Sequence, residues 1–228
     1  MTPLEIGNRL IAQRIVPVLR LADAELTARA FEYLVRAGFS AIEITMTVPG
    51  AIGLIARLAD QAEAGVLIGA GTVLDLDTAR RCIDAGARFV VSPCAVPGIA
   101  RMAHAVTCAA LQGGFTPGEI LAAHREGADI VKVFPASSGG PEHLRAIHAV
   151  FPDVLLCPTG GVSLQNIESY FAAGAALVGV GNNILDPQAL AVGDAASVIA
   201  HARRYLSIPA LPPAPLRAPA GRVERAQS

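Results

Sequence analysis

The sequence has 228 residues, of which 53% are hydrophobic, and its 18 Lys and Arg residues nearly balance its 19 Asp and Glu residues. This length and composition predict one large buried core and a single domain. The charge balance gives no reason to expect nucleic acid or an anionic membrane as a partner, and no stretch of about 18 residues is free of both charges and turn signals. We therefore expect the function to depend on a localised site.

The N-terminal segment, MTPLEIGNRLIAQRIVPVLR, lacks the basic start, long apolar centre and small-residue cleavage site of a secretory leader. We expect a cytosolic protein in which residues 3–13 form a leading helix. The four cysteines are Cys82, Cys94, Cys108 and Cys157. They form no C-x-x-C pair, which favours reduced thiols, and Cys94 has no evident base beside it, which favours a packed residue over a nucleophile.

A pattern of helix end, glycine and short apolar run occurs four times along the chain. The segments are RAGFSAIEI at 36, DAGARFVV at 84, REGADIVKV at 125 and AAGAALVGV at 172. Their glycines, Gly38, Gly86, Gly127 and Gly174, suit the left-handed residue that ends a helix. The apolar runs that follow suit strands buried on both faces.

Four more apolar runs bring the number of predicted strands to eight: RIVPVLR at 14, VLIGAGT at 66, VTCAAL at 106 and VLLCPTGG at 154. Between two of them, TPGEILAAHREGA predicts a helix capped by Thr116, with Pro117 in its first turn and Glu119 completing a capping box. The alternation predicts an α/β fold, a (β/α)8 TIM barrel. A doubly wound sheet shares the alternation, but the chain has no early G-x-G-x-x-G.

We expect residues 1–207 to form this single barrel domain. Residues 208–228 are rich in Pro and Ala without apolar periodicity, and they predict a flexible, disordered C-terminal tail.

Chemistry in such a barrel lies at the C-terminal ends of the strands, so polar residues there are the first candidates. They are Arg20, Glu43, Thr45, Thr47, Thr72, Ser92, Gln112, Lys132, Thr159 and Asn182. Side-chain alternation turns Lys132 into the barrel if Val131 and Val133 face the helices, and it lets Glu43 face inward too.

Lys132 has two interpretations. A buried lysine is commonly paired with a carboxylate for structural reasons. Alternatively, desolvation disfavours the ammonium form and leaves an amine that attacks a carbonyl to form a Schiff base. Glu43, also set in an apolar run, would then move protons.

Other features suit an anionic substrate. Gly160 and Gly161 in PTGG, and the GVGNN segment at 179–183, supply backbone N–H groups where these barrels bind phosphate. Arg20 could grip a carboxylate. All five histidines fall in helix-like segments without a ligand spacing, which disfavours a metal-dependent aldolase.

Six motifs carry a family resemblance between about residues 8 and 205: VPVLR, AIEITMTVPGA, IGAGTVLD, FVVSP, VKVFPAS and PTGGVS. With these motifs in this order, the chain resembles the class I 2-keto-3-deoxy-6-phosphogluconate (KDPG) aldolases, which also act as 4-hydroxy-2-oxoglutarate aldolases. A sister group acting on 2-keto-3-deoxy-6-phosphogalactonate shares the skeleton. The resemblance implies cleavage of a phosphorylated 2-keto-3-deoxy sugar acid to pyruvate and glyceraldehyde 3-phosphate, by a homotrimer without metal or cofactor.

The resemblance also implies roles: Lys132 as the Schiff-base lysine and Glu43 as the general acid/base. The implied substrate-binding residues are Arg20, Thr47, Thr72, Pro93, Phe134, Thr159, Gly160, Gly161, Gly181 and Asn182. Three residues depart from the usual pattern: Thr47 stands in place of an arginine, Asn182 in place of a serine and Gln112 in place of a proline.

Two other functions fit the same residues. A phosphosugar isomerase or epimerase on the barrel would use Lys132 as a charge or proton donor without covalent chemistry. A non-catalytic keto-acid or phosphate binder would need neither Lys132 nor Glu43.

Overall fold

The computed structural model describes residues 1–61 and 65–208. Within them all eight predicted strands are present, and each pairs in parallel with its neighbours. The strands are β1 (Ile15–Leu19), β2 (Ala41–Thr45), β3 (Leu67–Gly71), β4 (Phe89–Val91), β5 (Ala109–Gly114), β6 (Ile130–Val133), β7 (Leu156–Pro158) and β8 (Val178–Val180).

The strands follow one another around a ring in the order β7-β6-β5-β4-β3-β2-β1-β8. A parallel bridge between Thr159 and Gly179 joins the end of β7 to β8, so the ring is nearly closed. The (β/α)8 barrel predicted from the sequence is confirmed.

Helices alternate with the strands, and most of them cover the outside of the ring. They are α1 (Pro3–Gln13), α2 (Ala24–Ala37), α3 (Ala51–Gln61), α4 (Leu76–Asp84), α5 (Ile99–Ala105), α6 (Pro117–Arg125), α7 (Gly140–Val150), α8 (Ile167–Ala172), α9 (Pro187–Val192) and α10 (Ala195–Leu206). Two short 3-10 helices, Ala136–Ser138 and Asn182–Ile184, follow β6 and β8. The predicted leading helix is α1.

Local sequence signals explain several helix ends. Thr116 and Glu119 form the predicted reciprocal capping box at the start of α6, with Pro117 in its first turn. Gly38, which caps the end of α2, has a φ of 116°, and Gly127, just beyond α6, has a φ of 92°. These left-handed conformations favour glycine, because a Cβ there would be strained.

The barrel has two apolar cores, one inside the ring and one between the ring and the helices. Val131 and Val133 lie in the outer core, and Ile130 lies in the inner core, as side-chain alternation predicts. Helix α1 contributes Ile6 and Leu10 to the inner core. The inner core also contains Val16, Leu67, Phe89, Leu111 and Cys157. Because apolar side chains fill the inside of the ring, the polar groups of the site lie at the C-terminal ends of the strands.

No helix among residues 1–61 and 65–208 is long and apolar enough to cross a membrane. All four cysteines are free, and Cys82, Cys108 and Cys157 are buried. Cys94 is exposed, so the prediction of a packed residue at this position was wrong. The predicted tail falls, beyond residue 208, outside the described residues.

Candidate active site

Lys132 and Glu43 come together at the carboxyl end of the barrel. The Lys132 Nζ atom on β6 lies 3.8 Å from the Glu43 Oε1 atom on β2. Their residues are only 6% and 3% exposed. The pair combines a buried amine with a buried carboxyl group, which is the arrangement that proton transfer between them requires.

The Glu43 carboxyl group sits over the backbone of β3. A Cβ built on Gly71 would overlap the Glu43 Oε1 atom, so only glycine leaves room for the carboxylate. Oε1 has no hydrogen-bond partner among the described residues. Burial raises the pKa of the Glu43 carboxyl group, while the positive charges of Lys132 and Arg20 act in the opposite direction. Glu43 therefore holds a proton at higher pH than an exposed glutamate does.

Apolar and small groups surround the lysine. Its register partners on β5 and β7 are Gly113 and Cys157, and its Nζ atom lies 5.5 Å from the centroid of the Phe134 ring. Burial raises the pKa of the Cys157 thiol to about 11, so this thiol stays protonated at neutral pH. Lys132 is also the only lysine in the sequence, since every other basic residue among the 18 Lys and Arg residues is an arginine.

Arg20 lies at the end of β1 and is linked to two other strand ends. Its guanidinium Nη2 donates to the Thr72 hydroxyl at 3.3 Å. Its backbone carbonyl accepts from the Asn182 side-chain amide at 3.0 Å. Thr72 has a φ of 59°, an unusual left-handed conformation for a β-branched residue. The arginine, which is exposed, is thus held against the mouth of the barrel.

Two residues on other loops complete this side of the mouth. The exposed Thr47 lies beside buried Thr45, with their hydroxyl oxygens 2.7 Å apart. The Pro93 backbone passes so close to Gly113 that a Cβ there would overlap the Pro93 carbonyl group. Gly113 therefore lets the loop after β4 approach the strand that neighbours Lys132.

The glycine loop after β7 lies on another side of the mouth. Gly160 and Gly161 have φ values of 93° and 80°, and Phe134 approaches Gly160. The Gly160 carbonyl accepts from the backbone N–H of Ser137 at 2.9 Å, which joins this loop to the one after β6. Buried Thr159 packs against Gly179 of β8. Gly181, at the end of β8, has open space around it.

Gln112, which the sequence places at a strand end, lies away from this mouth. It is fully buried beside Val131 in the sheet register, on the side that faces the helices. Its Oε1 atom accepts from the Val96 backbone N–H at 2.5 Å, and its Nε2 atom has no hydrogen-bond partner in the described part of the chain. Ser92 is likewise buried and donates to the Val73 carbonyl at 2.5 Å. Both side chains hold loop backbone in place.

Among the described residues, the histidines and cysteines do not assemble a metal site. In residues 1–61 and 65–208, no three His, Cys, Asp or Glu side chains come close enough together to hold a metal ion. His104, for example, contacts Asp129 at 2.9 Å on the outside of the barrel.

Sequence reasoning missed two glycines on which the site depends. Gly71 leaves room for the Glu43 carboxyl group, and Gly113 leaves room for the Pro93 loop. The signal was present as glycine within the predicted strands at IGAG and LQGG, where close backbone approach is a common cause.

The fold and this geometry define a class of protein: a (β/α)8 barrel with a buried lysine–carboxylate pair at its strand ends. The family model for KDPG and KHG aldolase matches residues 6–201. The chain therefore belongs to the KDPG and KHG aldolase family.

Two proteins of similar sequence are both named as aldolases of phosphorylated 2-dehydro-3-deoxy sugar acids. A probable 2-dehydro-3-deoxy-6-phosphogalactonate aldolase from Rhizobium meliloti is 38% identical over 181 residues, which cover 79% of this chain and 85% of that relative. A 2-dehydro-3-deoxy-phosphogluconate aldolase from Pseudomonas aeruginosa is 40% identical over 161 residues, with 70% and 72% covered.

A solved structure is also similar. The crystal structure of a KDPG aldolase from Legionella pneumophila, with pyruvate captured as a covalent carbinolamine, matches with a TM-score of 0.79 and 29% identity. The match covers 89% of this chain and 97% of that one.

Replacing Gly71 tests whether the Glu43 carboxyl group occupies the space above it. The Gly71→Ala variant should be less stable by about 1–3 kcal/mol, because the added methyl group overpacks a buried site. The loss should shrink in a Glu43→Ala background, where the colliding atoms are absent. Urea unfolding of the four proteins in this cycle measures the coupling free energy.

Gly118 provides the matched control for this cycle. It lies on α6 with open space around it, so Gly118→Ala should leave the stability unchanged or raise it by up to about 1 kcal/mol. An equal loss for Gly71→Ala in both backgrounds would contradict the placement of the carboxyl group.

Proposed function

We propose that this protein is a class I aldolase that cleaves 2-dehydro-3-deoxy-6-phosphogluconate to pyruvate and D-glyceraldehyde 3-phosphate. The observation that carries the proposal is the buried pair of Lys132 and Glu43, 3.8 Å apart at the strand ends. The carbinolamine captured in the Legionella relative is the adduct that an attacking amine forms with pyruvate, and it supports covalent chemistry in this family.

The reaction begins with attack of the Lys132 amine on the C2 carbonyl of the substrate. An ammonium–carboxylate pair becomes reactive when the proton moves from Lys132 to Glu43, which leaves two neutral groups. Burial favours this transfer, because ions lose more hydration than neutral groups do. The raised pKa of Glu43 makes its carboxylate a better proton acceptor. Glu43 then returns this proton to the carbinolamine hydroxyl, which leaves as water and gives the protonated imine together with the Glu43 carboxylate.

The imine serves as the electron sink for carbon–carbon bond cleavage. Glu43, acting through a bridging water, removes the proton of the C4 hydroxyl. The C3–C4 bonding pair moves to C3 and forms an enamine on Lys132, while C4 leaves as the aldehyde of glyceraldehyde 3-phosphate. Glu43 returns a proton to C3, and hydrolysis of the resulting imine releases pyruvate and restores the Lys132 amine.

The substrate lies between the two sides of the mouth. We assign the keto-acid end to the side where Arg20 contacts Thr72, since a guanidinium group binds a carboxylate in a bidentate manner. Thr47, Pro93 and Phe134 border this end. We assign the phosphate to the glycine side, where backbone N–H groups can approach oxygen anions. The residues on that side are Thr159, Gly160, Gly161, Gly181 and Asn182.

The chemistry needs no metal or cofactor, because the protonated imine itself accepts the electron pair. We propose a cytosolic enzyme whose partners are this phosphorylated sugar acid and pyruvate, without nucleic acid or membrane.

The same centre would also cleave 4-hydroxy-2-oxoglutarate to pyruvate and glyoxylate. A second candidate substrate is the 2-dehydro-3-deoxy-6-phosphogalactonate isomer, which the Rhizobium relative's name supports. These substrates share the keto-acid end that the imine mechanism requires. They differ at C4 or in the phosphate, where pocket shape decides the specificity.

Borohydride trapping with pyruvate tests the covalent mechanism. Reduction converts the imine to a stable amine, so wild-type protein should gain the mass of one reduced pyruvate per chain, mapped to Lys132. The assignment is direct, because the sequence has one lysine and the α-amino group is the other primary amine that could form an imine. Lys132→Met should form no adduct.

A relocated lysine is the matched control for trapping. Adding Arg36→Lys to Lys132→Met places an amine on the exposed surface of α2, where no adduct should form. Absence of an adduct in wild type would overturn the aldolase proposal and favour an isomerase or epimerase, or a keto-acid binder.

Turnover measurements distinguish the substrates. The gluconate-type phosphosugar acid should have the highest kcat/KM, with the galactonate type and unphosphorylated 4-hydroxy-2-oxoglutarate below it. Pyruvate release coupled to lactate dehydrogenase measures all three. A higher kcat/KM for the galactonate type would reassign the substrate while leaving the Lys132 mechanism intact.

We also propose a homotrimer, on the family resemblance of the sequence. In that case the protein, measured under native conditions after borohydride reduction, should have the mass of three chains.

A further inference from the structure

Asn182 binds the main chain of Arg20 through both ends of its side-chain amide. Its Nδ2 atom donates to the Arg20 carbonyl at 3.0 Å, and its Oδ1 atom lies 3.5 Å from the Arg20 backbone nitrogen, which donates to it. The second contact is the weaker one, because it is longer than an ordinary hydrogen bond. The two groups are 162 positions apart in the sequence, so the contact depends on closure of the barrel.

The contact lies where the ladder between β1 and β8 stops. The last register pair between these strands is Pro17 with Val180, and Val18 and Leu19 pair with β2. The Asn182 amide therefore joins the two strand ends beyond their backbone ladder. Residue 182 opens a 3-10 helix, which directs its side chain from the end of β8 toward β1.

Arg20 is exposed, so burial alone does not fix its position. Asn182 fixes its backbone, and the Thr72 hydroxyl accepts from its guanidinium group at 3.3 Å. The positive charge fixed in this way also opposes the rise in the pKa of Glu43. Movement of Arg20 would therefore alter both the binding of a substrate carboxylate and the pKa of Glu43.

We propose that Asn182 is a positioning residue that holds Arg20 for the substrate carboxylate, an inference that rests on the proposed function. The side-chain oxygen of Asn182 and one of its two amide hydrogens bind Arg20. The side chain therefore has a single remaining N–H to offer the phosphate. A serine in its place would have only one oxygen, on a shorter side chain, to reach both Arg20 groups. Besides the one N–H group that it offers to the phosphate, Asn182 thus acts at the keto-acid end through Arg20.

Pyruvate separates the two ends, because it carries the carboxylate and the ketone without a phosphate. Asn182→Ala should raise the pyruvate concentration for half-maximal borohydride trapping by about tenfold, the equivalent of about one hydrogen bond. The trapping rate at saturating pyruvate should stay near the wild-type value. In an Arg20→Ala background, the same change should have less than about a twofold effect, because the arginine that it positions is gone.

Asn183 supplies the matched control. It is the neighbouring exposed amide, and it donates to the Val162 carbonyl at 3.2 Å instead of to Arg20. Asn183→Ala should leave pyruvate trapping unchanged. If Asn182→Ala raises only the KM of a phosphorylated substrate, or if its effect on pyruvate persists without Arg20, the positioning role is wrong.

A second measurement is independent of catalysis. Hydrogen exchange of a peptide containing residues 20–23 should be faster in Asn182→Ala than in wild type, and unchanged in Asn183→Ala. Unchanged exchange in Asn182→Ala would overturn the proposed contact. A wild-type protein that forms no pyruvate adduct but shows this exchange difference would refute the proposed function and retain the contact.

Discussion

The rest of the site depends on the burial of one lysine and one glutamate beside each other. Removing two charges from water costs several kcal/mol per ion, and their mutual attraction offsets this only in good geometry. Here the Nζ and Oε1 atoms are 3.8 Å apart, and Oε1 has no hydrogen-bond partner among the described residues. The ionised pair is therefore not locked by a close hydrogen bond. Proton transfer within it removes both charges and produces the neutral amine that the proposed chemistry requires.

This requirement also explains the composition of the barrel around the pair. Glycine at 71 gives the carboxyl group its place, and Gly113 and Cys157 flank the lysine with little bulk and no fixed charge. Below them the inner core is apolar, with α1 contributing Ile6 and Leu10. The charged and polar groups proposed to meet the substrate lie toward the C-terminal ends of the strands and in the loops that follow them. The scaffold and the site thus occupy opposite ends of the same strands, as is general for this fold.

Much of the fold was predictable, because its signals are local. Capping residues such as Thr116 and helix-ending glycines such as Gly38 act on their own turns, and short apolar runs identify strands wherever they pair. Side-chain alternation within β6 also predicted that Ile130 lies on the opposite face of the strand from Val131 and Val133. Such features require no knowledge of distant contacts.

Parts of the site were less accessible to sequence reasoning, since they depend on how distant segments meet. Position alone grouped Gln112 with the strand-end candidates, yet it faces the helices and holds the loop at Val96. The hydrogen bond from the Asn182 side chain to the Arg20 carbonyl forms only when β8 pairs with β1. The overlap that makes Gly71 necessary depends on the rotamer of Glu43 on the neighbouring strand. Register and closure, which are global properties, decide all three.

The division of labour between Lys132 and Glu43 is the central claim, and exchange of the pyruvate methyl hydrogens with D2O tests it most directly. Wild-type protein should catalyse this exchange, because the enamine gains and loses a proton at C3. Lys132→Met should show only the background rate. Glu43→Gln should still form the borohydride adduct, although more slowly because Glu43 no longer accepts the Lys132 proton, and it should exchange at least about 10²-fold more slowly. Exchange at the wild-type rate in Glu43→Gln, or any catalysed exchange in Lys132→Met, would contradict the account.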